Sequence, residues 1–581
     1  MTSSHAKESS RQPKISTPGC ERRPSALAKL GTYSLCACIS LVGCAESKPA
    51  GNSGAGSGTL VIATNSDPKI LFPPLIASIQ ARQAAESIYD YLVVVGPGMN
   101  IFGDAGFRPR LAESWKWSPD SLSIAFRINP KARWHDGRSA RASDVRFTWQ
   151  VYTNRQVGSP SAESLSDIDS VTVADSLTAV FWYRARSPHQ FLDASYMMIL
   201  PRHVFEKIPM DSLREAGVRV DPVGTGRFRF HRWSRESSFE ITADTANYRG
   251  RPGLDRVIWS VAPDFQTAAA KLFGGEADLY SGIRPDYVAE LVKHPRLRLV
   301  TLPGMSYVFM GFNLRDPKSE RRPHPLFASR ELRRALTMAV DRRSLVANVY
   351  DTLAPVAVGP TVRAFPTTDT TLRQIPFDPR RAAAILDSLG WVTQPGEEMR
   401  RRGGKALEFD VLVSASAQPR MRMAVLIQEQ LRRVGVRMRI AAMEGNTLRA
   451  RFGSRDFDAI MWDWSHGATP NQVRQTWGGD AARSDHGLNR GGYQSSRFDA
   501  YVDSAISAMN PADARRYFTS AYQTIIDDAP AIWLYEPKTV IGLDRRIRTG
   551  RMRLDAWWID LGDWFVPESE QIPRDRIARN W

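Results

Sequence analysis

Trp462 and Trp464 flank Asp463, and Ser465 and His466 follow at once, at the end of the apolar run in "FDAIMWDWSHGATP". Two large aromatic faces beside a carboxylate, a hydroxyl and an imidazole suit stacking on a ligand and pairing with its polar or cationic end. Residues two apart on a strand face the same side, so both rings should point one way and Asp463 the other. The same two rings would equally fill the core of their own lobe. Signatures of bond-making chemistry are missing: there is no G-x-S-x-G, no H-E-x-x-H and no P-loop, and "VGTGRFRF" at 223–230 fails the G-x-G-x-x-G spacing. The histidines are scattered, and the close pair His466 and His486 has neither metal-ligand spacing nor cysteine partners. Asp527 and Asp528 read as the end of a helix rather than as an acid–base pair. The expectation is a binding protein without catalytic residues, metal or cofactor.

The elements that would carry these residues differ between the two halves of the chain. "TLVIAT" (59–64) reads as a strand, "QARQAAESIYDYLV" has helical spacing of Ala84, Ile88 and Leu92, and "SLSIAFRI" (121–128) alternates as a half-buried strand. "SVTVADSLTAVFWY" (170–183) reads as a hairpin about Asp-Ser, and "RFRFHRW" with "SFEITAD" as another strand pair. The first half is therefore mostly sheet. In the second half "SRELRRALTMAVDRRSLVANVY" (329–350) reads as a helix behind a Ser329 cap, and "DPRRAAAILDSLGW" has Pro in its first turn and Gly at its end. From 407, strands "LEFDVLVS", "VRMRIAAM" and "FDAIMWDW" alternate with two helices, which predicts an α/β lobe with a largely parallel sheet. Trp462 to His466 then lie at the carboxyl end of a strand, where open α/β sheets place their ligand crevice.

Composition bounds the rest. With 581 residues, 43% hydrophobic and 24% charged, the chain should fold as two or three lobes. Its net charge of +17 is spread along the length, which favours an arginine-rich solvated surface over a nucleic-acid stripe. Cys20, Cys36, Cys38 and Cys44 are the four cysteines, so the main body can hold no disulfide. Arg22, Arg23 and Lys29 precede the short apolar run "LGTYSLCACISLVG", which reads as a signal peptide, too short for a stable membrane span. It ends in "LVGC", which resembles the bacterial lipoprotein processing site and would make Cys44 the lipid-bearing first residue of the mature protein. "AESKPAGNSGAGSG" then serves as a flexible tether.

Seven stretches in order resemble the extracytoplasmic solute-binding proteins of peptide/nickel-type ABC importers. They are "LAESWKWSPDSLSIAFRINPKARWHDGRSARASDVRFTW", "PVGTGRFRFHRW" with the "ANYRGRPGLDRVIWSVAPDFQTAAAKLFGGEADL" block, "ELRRALTMAVDRRSLV", "FDPRRAAAILDSLGW", "LIQEQLRRVGVRMRI", "RDFDAIMWDW" and "DDAPAIWLY".

The resemblance implies an α/β, two-lobed periplasmic-binding-protein fold with a hinge and an extra, mainly β lobe. The implied division is leader 1–44, tether 45–58, lobe I at 59–92, lobe II at 93–223, lobe I again at 224–302, lobe III at 303–528 and lobe I with the tail at 529–581. It also implies a monomer that captures a peptide or related solute, closes over it and delivers it to an ABC permease, held at the membrane by Cys44 and meeting no nucleic acid. A sensor of the same fold, or less readily a cell-envelope hydrolase, would be the alternatives. Peptide binders of this family carry an acid shortly after the tryptophan matched by Trp464; here Ser465, His466 and Gly467 follow, and Asp463 stands where the family usually has glycine. A free peptide amino terminus is thereby put in question as the recognised group. Asn65, Ser66 and Asp67, in "TNSDPKILFPP", match the family's early loop near the ligand.

Overall fold

The computed structural model describes residues 58–577 apart from Ala468 and His486. The leader 1–44 with Cys44, and the tether up to Ser57, lie outside the described residues.

The chain opens with β1 (Thr59–Thr64) and α1 (Ile79–Ile88), the latter capped by Ser78, whose side chain accepts from the Ala81 amide. It then builds β2 (Ala112–Trp117), β3 (Ser123–Ile128), β4 (Ile168–Val173) and β5 (Thr178–Tyr183). β6 (Phe228–Ser234), β7 (Ser238–Ala243), β8 (Arg256–Val261), β9 (Leu279–Tyr280) and β10 (Leu297–Leu302) follow. Next come β11 (Ser306–Phe312), α2 (Arg330–Met338), α3 (Arg342–Val349), β12 (Glu408–Ser414), α4 (Gln418–Arg432), β13 (Arg437–Met443), α5 (Gly445–Gly453) and β14 (Ala459–Ser465). The last long elements are α6 (Ser496–Ser507), α7 (Pro511–Asp528), β15 (Ala531–Tyr535) and β16 (Thr539–Asp544).

Three large sheets result from these strands. Lobe I holds seven strands in the order β10-β16-β9-β1-β8-β7-β6, lobe II four antiparallel strands in the order β2-β3-β5-β4, and lobe III five in the order β13-β12-β14-β11-β15. In lobe III, β12 runs parallel to β13 and β14, as alternating strands and helices require, but β11 inserts antiparallel between β14 and β15. β11 arrives directly from lobe I, without a crossover helix. The predicted helix over 329–350 is two helices: Asp341 accepts from the Ser344 amide and starts α3 afresh after α2 ends at Met338. Because β15 pairs with β11, the last crossing into lobe I falls after Tyr535, beyond the expected 528.

The two crossings between lobes I and III lie side by side. A Cβ on Gly304 would stand 1.8 Å from the Pro537 carbonyl oxygen, so only glycine lets these backbones touch. Lobe II is tied to lobe I by Asp560, which accepts from Arg108 at 3.0 Å and from Arg110 at 2.5 Å. One continuous hydrophobic cluster joins Phe126 and Phe181 of lobe II to Tyr307, Phe309 and Trp533 of lobe III. β1 is fixed by buried charge: Asp278 accepts from the Val61 amide at 2.9 Å, Asp575 from the Thr59 amide at 2.8 Å, and Arg546 donates to both carboxylates. With its buried carboxylates paired and hydrogen-bonded, the amino-terminal half of β1 has one position.

The candidate ligand crevice

β1 and β14 both end at one cavity of about 570 Å³ between lobes I and III. Thr64 and Asn65 leave β1 into it from one side, and Ser465, His466 and Gly467 leave β14 into it from the other. This is the position at the carboxyl ends of strands that an α/β sheet leaves open. Tyr280, at the end of β9, donates to Asn65 Oδ1 at 2.9 Å, while Asn65 Nδ2 donates to the Ala262 carbonyl at 3.3 Å, so the amide is held from both ends. Trp557 and Trp558 add aromatic surface from the C-terminal segment. A second cavity of about 260 Å³ adjoins the first, sharing Arg82, Gly467 and Asp555 and reaching Tyr196 of lobe II.

The charges on the crevice floor are matched among themselves. Glu86 accepts from Arg82 at 2.8 Å, from the Tyr91 hydroxyl at 2.8 Å and from Trp558 Nε1 at 2.7 Å. Asp555 accepts from Arg553 at 2.5 Å and lies 3.6 Å from Arg82. Burial opposes the Arg82 charge, but Glu86, Tyr91 and Asp555 override it and hold the guanidinium more firmly protonated than usual. Two arginines and two acids leave no uncompensated charge for a ligand to meet. His466 is the exception in kind: its Nε2 is buried without a hydrogen-bond partner. Burial lowers this imidazole to about 4, opposed by the Pro360 carbonyl, so it stands neutral at physiological pH.

The other residues singled out from the sequence are placed differently. Trp462 and Trp464 do share one side of β14, with ring centroids 6.1 Å apart, but that side is covered by α5. Phe452 stacks on Trp462 at 4.3 Å and 17°, and neither tryptophan lines the crevice. Asp463, on the other side, accepts from Arg420 of α4 at 2.7 Å. Asp67 is buried in lobe I, accepting from Trp233 Nε1 at 2.7 Å, and the Ser66 carbonyl accepts from the Thr64 hydroxyl at 3.3 Å; neither residue lines the crevice. The structure thus brings together Asn65, Ser465 and His466. Sequence reasoning missed Tyr280, Trp557 and Trp558; "DAWWID" at 555–560 was a visible aromatic pair, but nothing local places it opposite β14.

Residues 106–484 match the bacterial extracellular solute-binding proteins, family 5 Middle. The chain belongs to this family of extracellular solute-binding proteins. As a family 5 member it is similar to the oligopeptide-binding protein AppA of Bacillus subtilis, 26% identical over 562 residues that span 93% of this chain and 99% of that one. The structure of Bacillus subtilis AppA in complex with a nonapeptide superposes with a TM-score of 0.73 at 24% identity, covering 88% of this chain and 99% of the other. NikZ from Campylobacter jejuni in complex with Ni(L-His) gives 0.74 at 22% identity, covering 87% and 99%. The family 5 fold is the two-lobed α/β architecture described above.

Proposed function

We propose that this chain is the solute-binding component of an ABC import system, holding a short peptide or related small solute in the crevice between lobes I and III and passing it to a membrane permease. The observation that carries this reading is the convergence of Asn65, Tyr280, Trp557 and Trp558 from one lobe with Ser465, His466 and Gly467 from the other on a single cavity. About 570 Å³, with a further 260 Å³ adjoining, matches the usual range for small-molecule sites and suits a ligand of a few residues. The nonapeptide bound by AppA and the Ni(L-His) bound by NikZ are ligands of other chains with this fold, and the first supports the peptide reading.

Asn65, Ser465 and His466 are the binding residues in this proposal, with Tyr280, Trp557 and Trp558 beside them. Trp462, Asp463 and Trp464 act behind the wall, fixing the end of β14, while Ser66 and Asp67 shape the loop that presents Asn65. A ligand end facing Ser465 to Gly467 meets a hydroxyl, a neutral imidazole and backbone, and the nearest strand carboxylate, Asp463, is taken by Arg420. The recognised group is therefore a neutral hydrogen-bonding one, such as an amide or blocked terminus, rather than an ammonium. Cys44 carries the lipid in this account, the body lies outside the cytoplasm as a monomer, and no bond is broken in the bound solute.

Titration with matched two- to five-residue peptides, free and N-acetylated, tests the reading by tryptophan emission. Saturable binding with the acetylated series at least as tight supports it. Failure of every length to bind overturns the peptide assignment.

A further inference from the structure

A larger cavity lies elsewhere: a groove of about 1210 Å³ within lobe III, between α2, the start of α3, the strap 356–377 and the last turns of α7. Arg334, Arg342, Arg343, Arg363 and Arg373 line it, against only two acids, Asp341 and Asp527. Those acids are engaged otherwise: Asp341 caps α3 through the Ser344 amide, and Asp527 Oδ1 accepts from Gln523 at 3.2 Å. Arg363 pairs with Glu536 at 2.7 Å. The other four have no carboxylate within ion-pair distance among the described residues, although nearby Arg330 pairs with Asp528 at 2.9 Å and the chain pairs many of its surface arginines.

Two of the four serve the frame. Arg342 is buried and donates to Gln374 Oε1 at 3.1 Å and to the Ile375 carbonyl, and Arg334 donates to the Asp527 carbonyl at 2.6 Å. Neutral acceptors satisfy their hydrogen bonds and leave their charge unbalanced in a partly desolvated place. Burial accordingly lowers Arg342 to about 10, which Asp341 only partly opposes. The remaining two, Arg343 and Arg373, are exposed on the rim with no acceptor for their guanidiniums among the described residues. The strap is locked in place by Gln523, whose amide exchanges bonds of 3.0 Å each with the Arg373 backbone N–H and carbonyl. Phe377, 47% exposed, and Leu372 supply an apolar wall on the same side.

We propose that this groove is a second binding site, for an organic phosphate: guanidinium forks from Arg343 and Arg373 take the phosphate oxygens, Arg342 and Arg334 supply the field beneath, and Leu372 and Phe377 contact the organic part. The phosphate belongs either to a free metabolite or to a phospholipid headgroup, and the groove is far larger than inorganic phosphate needs.

The test uses the full chain in two arms. The first titrates glycerol 3-phosphate by calorimetry. The second measures co-sedimentation with vesicles containing phosphatidylglycerol, with phosphatidylcholine vesicles, whose phosphate charge is balanced by choline, subtracting whatever does not depend on an uncompensated headgroup phosphate. The double variant Arg343→Glu/Arg373→Glu changes two exposed side chains, and Arg138→Glu/Arg155→Glu in lobe II makes the same change in net charge as a control. The expected result is saturable, salt-sensitive binding in at least one arm, weakened at least tenfold by the groove variant and less than twofold by the control, with the thermal midpoints of both within 2 °C of the parent. Binding to glycerol 3-phosphate alone assigns a free phosphate; binding to vesicles that glycerol 3-phosphate displaces assigns the headgroup. No binding in either arm, or equal weakening by both variants, overturns the proposal.

Discussion

Arg420 of α4 donates to Asp463 of β14 at 2.7 Å, on the side of the strand opposite to Trp462 and Trp464. The carboxylate nearest to Ser465 and His466 in sequence is thus spent on holding the strand to its own helix. Asp463→Asn should lower stability by about 1 to 2 kcal/mol, because the largely covered Arg420 loses its counter-charge, without changing ligand affinity. Urea unfolding alongside a binding titration checks both halves, and a variant that stays stable but stops binding would return Asp463 to the ligand site.

The tryptophans divide in the same way. Trp557 and Trp558 line the crevice, whereas Trp462 stacks on Phe452. Trp558→Phe should remove much of the ligand-dependent change in emission. Trp462→Ala should leave that change intact while costing about 2 to 3 kcal/mol, below the range for a fully buried ring because Trp462 is half-buried. Emission spectra with and without saturating ligand distinguish the two.

Stability should fall in mild acid. Burial lowers both His466 and His189 to about 4, while in the unfolded chain each titrates near 6.5. Between those values the unfolded chain binds more protons, so stability rises with pH; the contribution is complete above 6.5 and lost as pH falls towards 4. Each histidine accounts for up to about 3 kcal/mol. Thermal unfolding from pH 7 to pH 4.5 should show the decline, and His466→Gln should flatten part of it.

The hinge has one position without latitude. Gly304→Ala would place its Cβ 1.8 Å from the Pro537 carbonyl oxygen and push the two crossings apart. A loss of about 1 to 3 kcal/mol, as for overpacking, with altered ligand affinity is expected, and calorimetry of unfolding and binding measures both.

Cys44→Ser should release the protein from membranes into the soluble fraction. Fractionation followed by immunoblotting reads this out, and unchanged membrane retention would remove the anchor from the account.

Much of the fold was legible in the sequence where period and caps agree: the hairpin 168–183, the strand–helix alternation from 408 to 465 and the Asp378-capped helix Pro379–Ser388 all follow from local pattern. What local pattern could not show is which strands meet. β11 and β15 lie more than 200 residues apart yet pair, so the extent of lobe III exceeds what chain order suggests. The site follows the same rule. Asn65, Ser465 and His466 stand at strand ends and could be named from there, whereas Tyr280 and Trp557 reach the crevice only through the seven-stranded sheet and the returning tail. Trp462 and Trp464 show the limit of strand alternation: it fixes that two rings share a side, but which helix covers that side is a tertiary fact.

Native mass spectrometry of the purified protein tests most directly that the crevice between lobes I and III holds the solute. Gly467 is a suitable probe, since a Cβ there would meet only Thr469 Cγ2 at 4.0 Å, so Gly467→Phe should fill the cavity without disturbing the fold. The wild type should release a discrete small molecule on collisional activation, and the folded Gly467→Phe protein should carry none. The same adduct at the same occupancy in both proteins would contradict it.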